Sequence, residues 1–155
     1  MPKIYEYKCN QCDFNLGWGW GGYLYVINED GERIVCNHPG EESTIIETLG
    51  AVRFWNKKKM LKKWSEHIGY NRKCVCHDCL KRFDADVAES PDALPSQMMW
   101  YSAIILDIDF AAPRDERICP ECNSENISTI SELIMKPCPK CKNGNIEEMW
   151  TGAIS

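Results

Sequence analysis

A chain of 155 residues is large enough for one ordinary domain or for a few very small ones. Leu, Ile, Val and Phe together make up only about a fifth of the residues, near the level below which a chain struggles to bury enough apolar surface to fold. The longest apolar stretch, residues 98–106, is far shorter than the roughly 20 residues that span a bilayer, so we expect no membrane partner. Ten cysteines and three histidines are expected to supply, through metal or disulfides, the stability that a small core lacks.

The expected cellular compartment decides between these two kinds of crosslink. Residues 1–6 have neither the basic region nor the apolar region of a secretory signal peptide, so we expect a cytoplasmic protein. Disulfides are reduced in the cytosol. Closely spaced cysteines in such a protein are therefore interpreted as metal ligands or as redox pairs.

Residues 1–52 are predicted to form an N-terminal metal-binding module built on a β-hairpin. β-Branched and aromatic residues occupy 23–27 and 32–35, and an Asp-Gly pair separates them, which is typical of a hairpin. This hairpin follows one pair of potential ligands and leads directly into another. The predicted zinc site has three thiolates and one imidazole, from Cys9, Cys12, Cys36 and His38. In the alternative, the histidine is only a turn residue, and the first two cysteines pair with a distant doublet.

Charge is strongly segregated along the chain, whose formal net charge is −5. Residues 1–52 sum to −5, residues 53–82 to +8 and residues 83–155 to −8. One basic block therefore lies between two acidic ones. The lysines that we expect on its exposed face are Lys57, Lys58, Lys59, Lys62 and Lys63.

Residues 53–73 are predicted to form a basic amphipathic helix followed by a linker. Apolar residues recur there at helical spacing, and Gly69 lies where a helix C-cap is expected. The predicted buried face consists of Phe54, Met60, Leu61, Trp64 and Ile68. The simplest interpretation is a solvated lysine face on a helix that packs by its aromatic face. The alternatives are a contact surface for nucleic-acid phosphates or an acidic protein, and a membrane-surface helix.

Eight of the ten cysteines form four doublets with the same two-residue gap. The doublets are Cys9 with Cys12, Cys76 with Cys79, Cys119 with Cys122, and Cys138 with Cys141. A tight turn of this length lets two thiolates reach one tetrahedral Zn²⁺ ion at about 2.3 Å while backbone amides point at the sulfurs. Each doublet is therefore interpreted as half of a metal site. A thiol–disulfide redox role would need a βαβ context, which none of the four doublets has.

The doublets also carry a family resemblance. An apolar residue precedes Cys76 and Cys119, and Asn123 can adopt the left-handed conformation common after the second cysteine. The chain thus resembles the zinc-ribbon and rubredoxin-like group, in which two such turns, called knuckles, come from adjacent β-hairpins and hold one metal ion. This resemblance implies a second site made of Cys76, Cys79, Cys119 and Cys122. Glycine, usual after the second cysteine of a knuckle, is replaced here by Asp13, Leu80, Asn123 and Lys142.

Cys138 and Cys141 are left without partners by these two assignments. Residues that can complete a third site with them are Cys74, His67 and His77. A competing scheme joins them to the doublet at positions 119 and 122, because residues 126–135 can form strands of one compact ribbon. We favour the pairing of the doublets at 76 and 119, and we expect two to three zinc ions in total.

Residues 84–117 are predicted to be an insertion between the two halves of the second site. Residues 90–95 contain two prolines and are predicted to form a loop. Residues 96–110 are predicted to form an apolar strand or a short buried helix. Asp107 and Asp109 are expected on a solvated strand face, since no phosphate-binding loop or nucleophile accompanies them.

The sequence as a whole predicts a small metal-stabilised α+β protein, with zinc-ribbon β-hairpin modules at residues 1–52 and 74–155 and one basic amphipathic helix between them. Four protein ligands leave no open position on the metal, so we expect structural zinc and not an enzyme. The expected function is an interaction module or adaptor whose partner is nucleic acid or protein. The alternative is rubredoxin-like electron transfer, because iron accepts nearly the same four-thiolate tetrahedron as zinc.

Overall fold

The computed structural model describes residues 3–19, 21–90, 108, 112–134 and 136–153. Within these ranges the chain forms eight β-strands, arranged in two antiparallel sheets, and three α-helices. The predicted α+β class is therefore confirmed. None of the helices in these ranges has the length and the apolar character required to cross a membrane.

The elements have the following bounds in chain order. The first half contains β1 (Lys3–Cys9), β2 (Asn15–Gly19), β3 (Gly22–Ile27), β4 (Arg33–Val35), α1 (Glu41–Leu49), a 3₁₀ turn (Phe54–Asn56) and α2 (Lys57–His67). The second half contains β5 (Ile68–Cys76), β6 (Arg82–Ala85), β7 (Ile127–Thr129), α3 (Ile130–Leu133) and β8 (Ile146–Ala153).

The first sheet joins the two ends of the described chain. Its strand order is β2-β1-β8, so β1 is the central strand. β1 pairs with β8 along its whole length, from Lys3↔Ala153 to Cys9↔Ile146, and with β2 on its other edge. Strands from the first and the last predicted module therefore lie side by side in one sheet.

The second sheet is built around β5. Its strand order is β4-β3-β5-β6, and β7 also pairs with β5. β6 occupies one edge of β5, while β3 and β7 pair with successive parts of the other edge. β5 ends at Cys76, as β1 ends at Cys9. Each sheet thus has a central strand that ends on a cysteine.

The predicted hairpin is present, since β3 pairs with β4 in antiparallel register. In its turn the side-chain oxygen of Asn28 accepts hydrogen bonds from the N–H groups of Asp30 (3.0 Å) and Glu32 (2.9 Å). Gly31 has a φ of +81°, a left-handed conformation that glycine adopts without steric cost. Local turn chemistry therefore determines this hairpin.

The larger apolar core lies where α1 and α2 pack on the second sheet. Its buried residues include Leu24, Val26, Cys36, Ile45, Leu49, Met60, Trp64, Ile68, Tyr70 and Ile108. Trp64 is completely buried, and its indole N–H donates to the carbonyl of Gly50 at 3.0 Å. That bond ties α2 to the end of α1 and satisfies the one polar atom of a buried indole.

Two details of the predicted basic helix are wrong. Phe54 does not belong to the buried face, because α2 begins only at Lys57 and Phe54 lies in the preceding 3₁₀ turn. Gly69 is not a C-cap, because the chain turns directly from α2 into β5 at Ile68. Gly69 instead pairs with Tyr25 across the sheet, where a Cβ atom would lie 2.3 Å from the Tyr25 ring.

Most of the predicted insertion lies outside the described residues. This applies to positions 91–95 of the predicted loop, to the predicted apolar strand or helix over 96–110 except Ile108, and to both aspartates at 107 and 109. Ile108 is buried in the larger core.

A buried ionic network holds the described ends of this insertion against the second sheet. Asp86 is buried and accepts a hydrogen bond from the Tyr25 hydroxyl at 2.6 Å. Arg114 donates to the same carboxylate at 3.5 Å and to the carbonyl of Glu66 at 2.7 Å. Burial, with the bond to Asp86, raises the pKa of Tyr25 to about 12, so the phenol stays a donor at neutral pH. The bond to Asp86 therefore holds the Tyr25 ring in its position over Gly69.

Substitution of Gly69 by alanine tests this packing. Because the anchored Tyr25 ring occupies the space that the new methyl needs, we expect Gly69→Ala to lower the free energy of unfolding by about 1–3 kcal/mol. Gly19→Ala is the matched control, since a Cβ there meets nothing within 4 Å and should change stability by less than about 1 kcal/mol. Denaturant unfolding in the presence of zinc measures both. Equal stability of the two variants would contradict the packing described here.

Candidate metal centres

The first cluster of four cysteines lies at one end of the first sheet, where β1 ends and β8 begins. Cys9 ends β1, Cys12 lies in the turn to β2, and the other two cysteines lie in the turn before β8. The sulfur atoms of Cys9 and Cys141 are 3.7 Å apart, and those of Cys12 and Cys138 are 3.8 Å apart. We call Cys9, Cys12, Cys138 and Cys141 the first tetrad.

The second cluster repeats this arrangement in the second sheet. Cys76 ends β5, Cys79 lies in the turn to β6, and the other two cysteines precede β7. The sulfur–sulfur distance is 3.6 Å both for Cys76 with Cys122 and for Cys79 with Cys119. We call Cys76, Cys79, Cys119 and Cys122 the second tetrad. Its four residues are those that the resemblance implies.

The sulfur separations fit a metal ion and do not fit disulfides. A disulfide requires about 2.05 Å between sulfurs. A tetrahedral zinc site with bonds of about 2.3 Å requires sulfurs about 3.8 Å apart, close to the separations in both tetrads. All four sulfurs of each tetrad also lie within 4.8 Å of one another. Each tetrad can therefore hold one ion with four sulfur ligands.

Three of the four knuckles share one backbone turn. The carbonyl of the first cysteine accepts a hydrogen bond from the residue after the second cysteine, which is Leu80 (3.0 Å), Asn123 (2.9 Å) or Lys142 (3.0 Å). Each of these residues has a φ near +60°. The left-handed position is therefore formed without the usual glycine, at a cost of about 1–2 kcal/mol for a residue such as leucine or lysine.

Backbone N–H groups surround the sulfurs of the first tetrad. Cys9 and Cys138 each accept from an N–H at 3.3 Å, donated by Gln11 and Lys140 respectively. Cys141 accepts from the N–H of Gly144 at 3.3 Å. Such donors stabilise thiolate over thiol, which favours metal binding.

The pKa values of the cysteines in the first tetrad are compatible with a bound cation. The N–H groups of Gly144 and Asn143 lower the pKa of Cys141 to about 6. The N–H of Phe14 acts to lower the pKa of Cys12, but burial and the neighbouring thiols of its tetrad together raise it to about 12. One thiolate therefore forms readily, and further ionisation beside it is opposed until a positive ion is present.

The second tetrad behaves in the same way. Burial acts to raise the pKa of Cys76, but the N–H groups of Cys79 and Asp78 lower it to about 7. The N–H of Ser124 acts to lower the pKa of Cys122, but burial and the neighbouring thiols raise it to about 12. Metal binding must therefore displace protons at this site too.

The predicted site of Cys9 and Cys12 with Cys36 and His38 is wrong, because the structure brings the first two cysteines to a different partner doublet. The hairpin of β3 and β4 does not start from the first doublet. β2 intervenes, pairs with β1 in the other sheet and directs the chain away.

Cys36 and His38 have other surroundings. Cys36 is buried in the larger core, and burial, with the nearby Glu41 charge, raises the pKa of its thiol to about 12. The Nδ1 atom of His38 contacts the carboxylate of Glu41 at the start of α1. Both residues thus contribute to the packing and ionic contacts around α1.

The residues proposed to complete a third site belong to neither tetrad and have other contacts. The Cys74 sulfur is 3.5 Å from the carbonyl of Arg72, and the Nδ1 atom of His67 is 2.8 Å from the carbonyl of Lys63. The Nε2 atom of His77 is 2.8 Å from the Ser128 hydroxyl. Among the residues that the structure describes, the cysteines and histidines form two candidate metal clusters and no third one.

The five lysines predicted to bind a partner divide into two groups. Lys57, Lys58, Lys59 and Lys62 are exposed on α2. Lys63 is half-buried, and its ammonium donates to the carbonyl of Leu49 at 3.0 Å. Lys63 therefore completes the C-terminus of α1, a role that the sequence pattern did not reveal.

An apolar cluster connects the two tetrads. Val75 and Leu80 flank the first doublet of the second tetrad. They pack in the same cluster as Cys9, Cys138 and Ile146. Further members include Tyr7, Phe14, Leu16, Ile130 and Leu133. The two tetrads therefore lie beside one shared apolar cluster.

Comparison of the chain with protein-family models, with curated proteins and with solved structures gives no match. Its function is therefore inferred from its own geometry, burial and charge.

Gly144 allows a test that affects one tetrad at a time. A Cβ atom at this position would lie 2.5 Å from the Cys9 sulfur and 2.8 Å from the Cβ of Gln11. We expect Gly144→Ala to weaken metal binding at the first tetrad at least about tenfold and to leave the second tetrad unchanged. Competition with a chelator of known affinity measures both sites. Gly19→Ala again serves as the control, and equal affinities in both variants would contradict the predicted crowding.

Proton release on metal binding tests the ionisation of the thiols. Between pH 7 and 9, Cys141 is already ionised, whereas Cys12, Cys79, Cys122 and Cys138 have raised pKa values and are protonated before metal binds. We expect at least about two protons to leave per metal ion, so that affinity falls as the pH is lowered. Calorimetric titration in buffers of different ionisation enthalpy counts the protons. Metal binding with no proton release would contradict this.

Proposed function

We propose that each tetrad binds one structural Zn²⁺ ion and that the protein is a non-enzymatic interaction module of the zinc-ribbon kind. The observation that carries this proposal is the presence of two complete sets of four cysteine sulfurs, each at tetrahedral spacing. Thiolates at these positions need a reducing compartment, which supports a cytoplasmic protein.

The repeated topology supports a ribbon at each site. In the first sheet, the turn between β1 and β2 carries the first doublet of the first tetrad. In the second sheet, the turn between β5 and β6 carries the first doublet of the second tetrad. A third strand, β8 or β7, follows the second doublet and pairs with the first strand of that hairpin. The metal ion would thus join the open end of a three-stranded unit in each case.

The closed sulfur shell supports a structural role. Four thiolates complete a tetrahedral site, so the ion has no position at which to activate water or to polarise a substrate. A cavity of about 350 Å³ lies elsewhere, among Tyr7, Cys74, Arg82 and Phe83, and no cysteine of the tetrads lines it. The metal ions would therefore act on the fold and not on a ligand in this cavity.

The sequence separation of the ligands supports the same conclusion. Sulfurs that lie together in the first tetrad are 132 and 126 positions apart in the chain, against 46 and 40 in the second tetrad. Binding of structural zinc contributes about 10–16 kcal/mol of apparent free energy, which in a chain with a small core is also folding free energy. The first ion would hold the two ends of the chain together, which is a structural task.

Replacement of single cysteines separates ligands from ordinary buried thiols. We expect Cys138→Ser to lose about one zinc ion per chain, because serine cannot replace the thiolate, and to destabilise the first sheet strongly. Cys74→Ser is the matched control, because Cys74 is equally buried but lies outside both tetrads. Elemental analysis and thermal unfolding measure both variants.

The same experiment can overturn the proposal in two ways. Full metal content and native stability in Cys138→Ser would contradict a structural site. Iron with a red colour in the unaltered protein would instead support electron transfer, since iron accepts the same four-thiolate geometry.

A further inference from the structure

The start of α2 carries a surface that the fold does not use. Phe54 is 98% exposed and Trp55 is 81% exposed, both in the 3₁₀ turn that leads into the helix. Residues 53–63 carry six positive charges and no acidic residue, although the chain as a whole is acidic. Burial of a large apolar side chain normally stabilises a protein, so two adjacent exposed rings need another explanation.

The turn presents these rings on a fixed backbone. The side-chain oxygen of Asn56 accepts a hydrogen bond from the N–H of Arg53 at 2.6 Å, and its amide donates to the carbonyl of Ala51 at 3.3 Å. Neither Phe54 nor Trp55 makes a ring-stacking or cation–π contact with any residue in the described ranges. A ligand that covers the rings would therefore bind a backbone that is already ordered, which reduces the entropic cost of binding.

The lysines beside the rings are also unused by the fold. Lys57, Lys58 and Lys59 have no ion-pair partner among the described residues, and Lys62 lies 3.9 Å from the exposed Glu66. Lysines in the first turn of a helix oppose the helix dipole, so they do not stabilise α2. Lys63, by contrast, bonds to the carbonyl of Leu49 and has a structural role.

We propose that this surface binds single-stranded nucleic acid, with Phe54 and Trp55 stacking on bases and the lysines contacting phosphates. The aromatic surface consists of Arg53, Phe54, Trp55, Lys57, Lys58, Lys59 and Lys62. Unpaired bases offer flat faces to exposed rings, and phosphates match a cluster of ammonium groups. A peptide of acidic residues alone would match the lysines but would leave both rings without a stacking partner, and the bases of a duplex are stacked on one another.

This inference deepens the proposed function, because it names the partner of the interaction module and depends on the metal sites only to hold α2 in place. The acidic segments on either side of the basic block would repel a polyanion elsewhere on the chain. Charge would therefore favour binding on the basic block, which contains the aromatic surface.

The test uses fluorescence anisotropy with labelled 12-nucleotide single strands of mixed sequence, the corresponding duplex and a poly-glutamate peptide. The zinc-loaded full chain should prefer the single strand to both competitors. Phe54→Ala with Trp55→Ala should weaken single-strand binding at least about thirtyfold, because each lost stacking contact costs about 1 kcal/mol or more. Lys57→Gln, Lys58→Gln and Lys59→Gln together should weaken binding and reduce the dependence of log K on log salt by about two, since each phosphate contact contributes about 0.7.

Trp150→Ala is the matched control, because Trp150 is an exposed tryptophan on β8, outside the aromatic surface. It should bind the single strand as the unaltered chain does. Unchanged binding by the Phe54 and Trp55 double variant, or a preference for duplex or poly-glutamate, would overturn the inference.

Metal content distinguishes this failure from a failure of the proposed function. Two zinc ions per chain with no single-strand binding would overturn the nucleic-acid surface alone. Fewer than two zinc ions per chain would overturn the proposal of two structural zinc sites, whatever the binding result.

Discussion

Repulsion between closely packed sulfurs is the constraint on which the structure depends. Sulfur atoms 3.6–3.8 Å apart cannot all be thiolates unless a cation lies among them. The low pKa of Cys141 and the high pKa of Cys12 express this conflict within one tetrad. A divalent ion would offset this repulsion by its attraction to the four sulfurs. The turns that end β1 and β5 bring the sulfurs together at a spacing that suits such an ion.

The two tetrads are nested in the sequence and joined in space. The second tetrad forms within the middle of the chain, and the first closes around it by bringing residues 9 and 12 to residues 138 and 141. Val75 and Leu80 of the inner unit pack in the same apolar cluster as the cysteines of the first tetrad. A chain with few large aliphatic residues thereby gains one continuous framework. α1 and α2 add the larger core and leave the aromatic surface exposed.

The sequence predicted several local features and the second tetrad, whose four cysteines the family resemblance implies, but not the partner of the first doublet. The hairpin of β3 and β4 and the burial of Trp64 follow from turn chemistry and helical spacing within short segments. The partner of the first doublet depends on β2, whose pairing with β1 directs the chain into another sheet, and on a strand at the other end of the chain. The sequence contained one sign of this pairing. The doublets that begin at Cys119 and Cys138 both have a proline after the first cysteine. Each of them precedes a strand that pairs with an earlier hairpin. Phe54 was misplaced because periodicity alone does not locate the start of a helix.

X-ray absorption on the purified protein, combined with native mass spectrometry, can show whether both tetrads bind zinc. We expect two zinc ions per chain, each with four sulfur neighbours at about 2.3 Å and no nitrogen neighbour. A nitrogen neighbour would indicate that a histidine binds the metal ion. A single ion per chain, or sulfur atoms bonded to each other at about 2.05 Å, would contradict the two-tetrad structure.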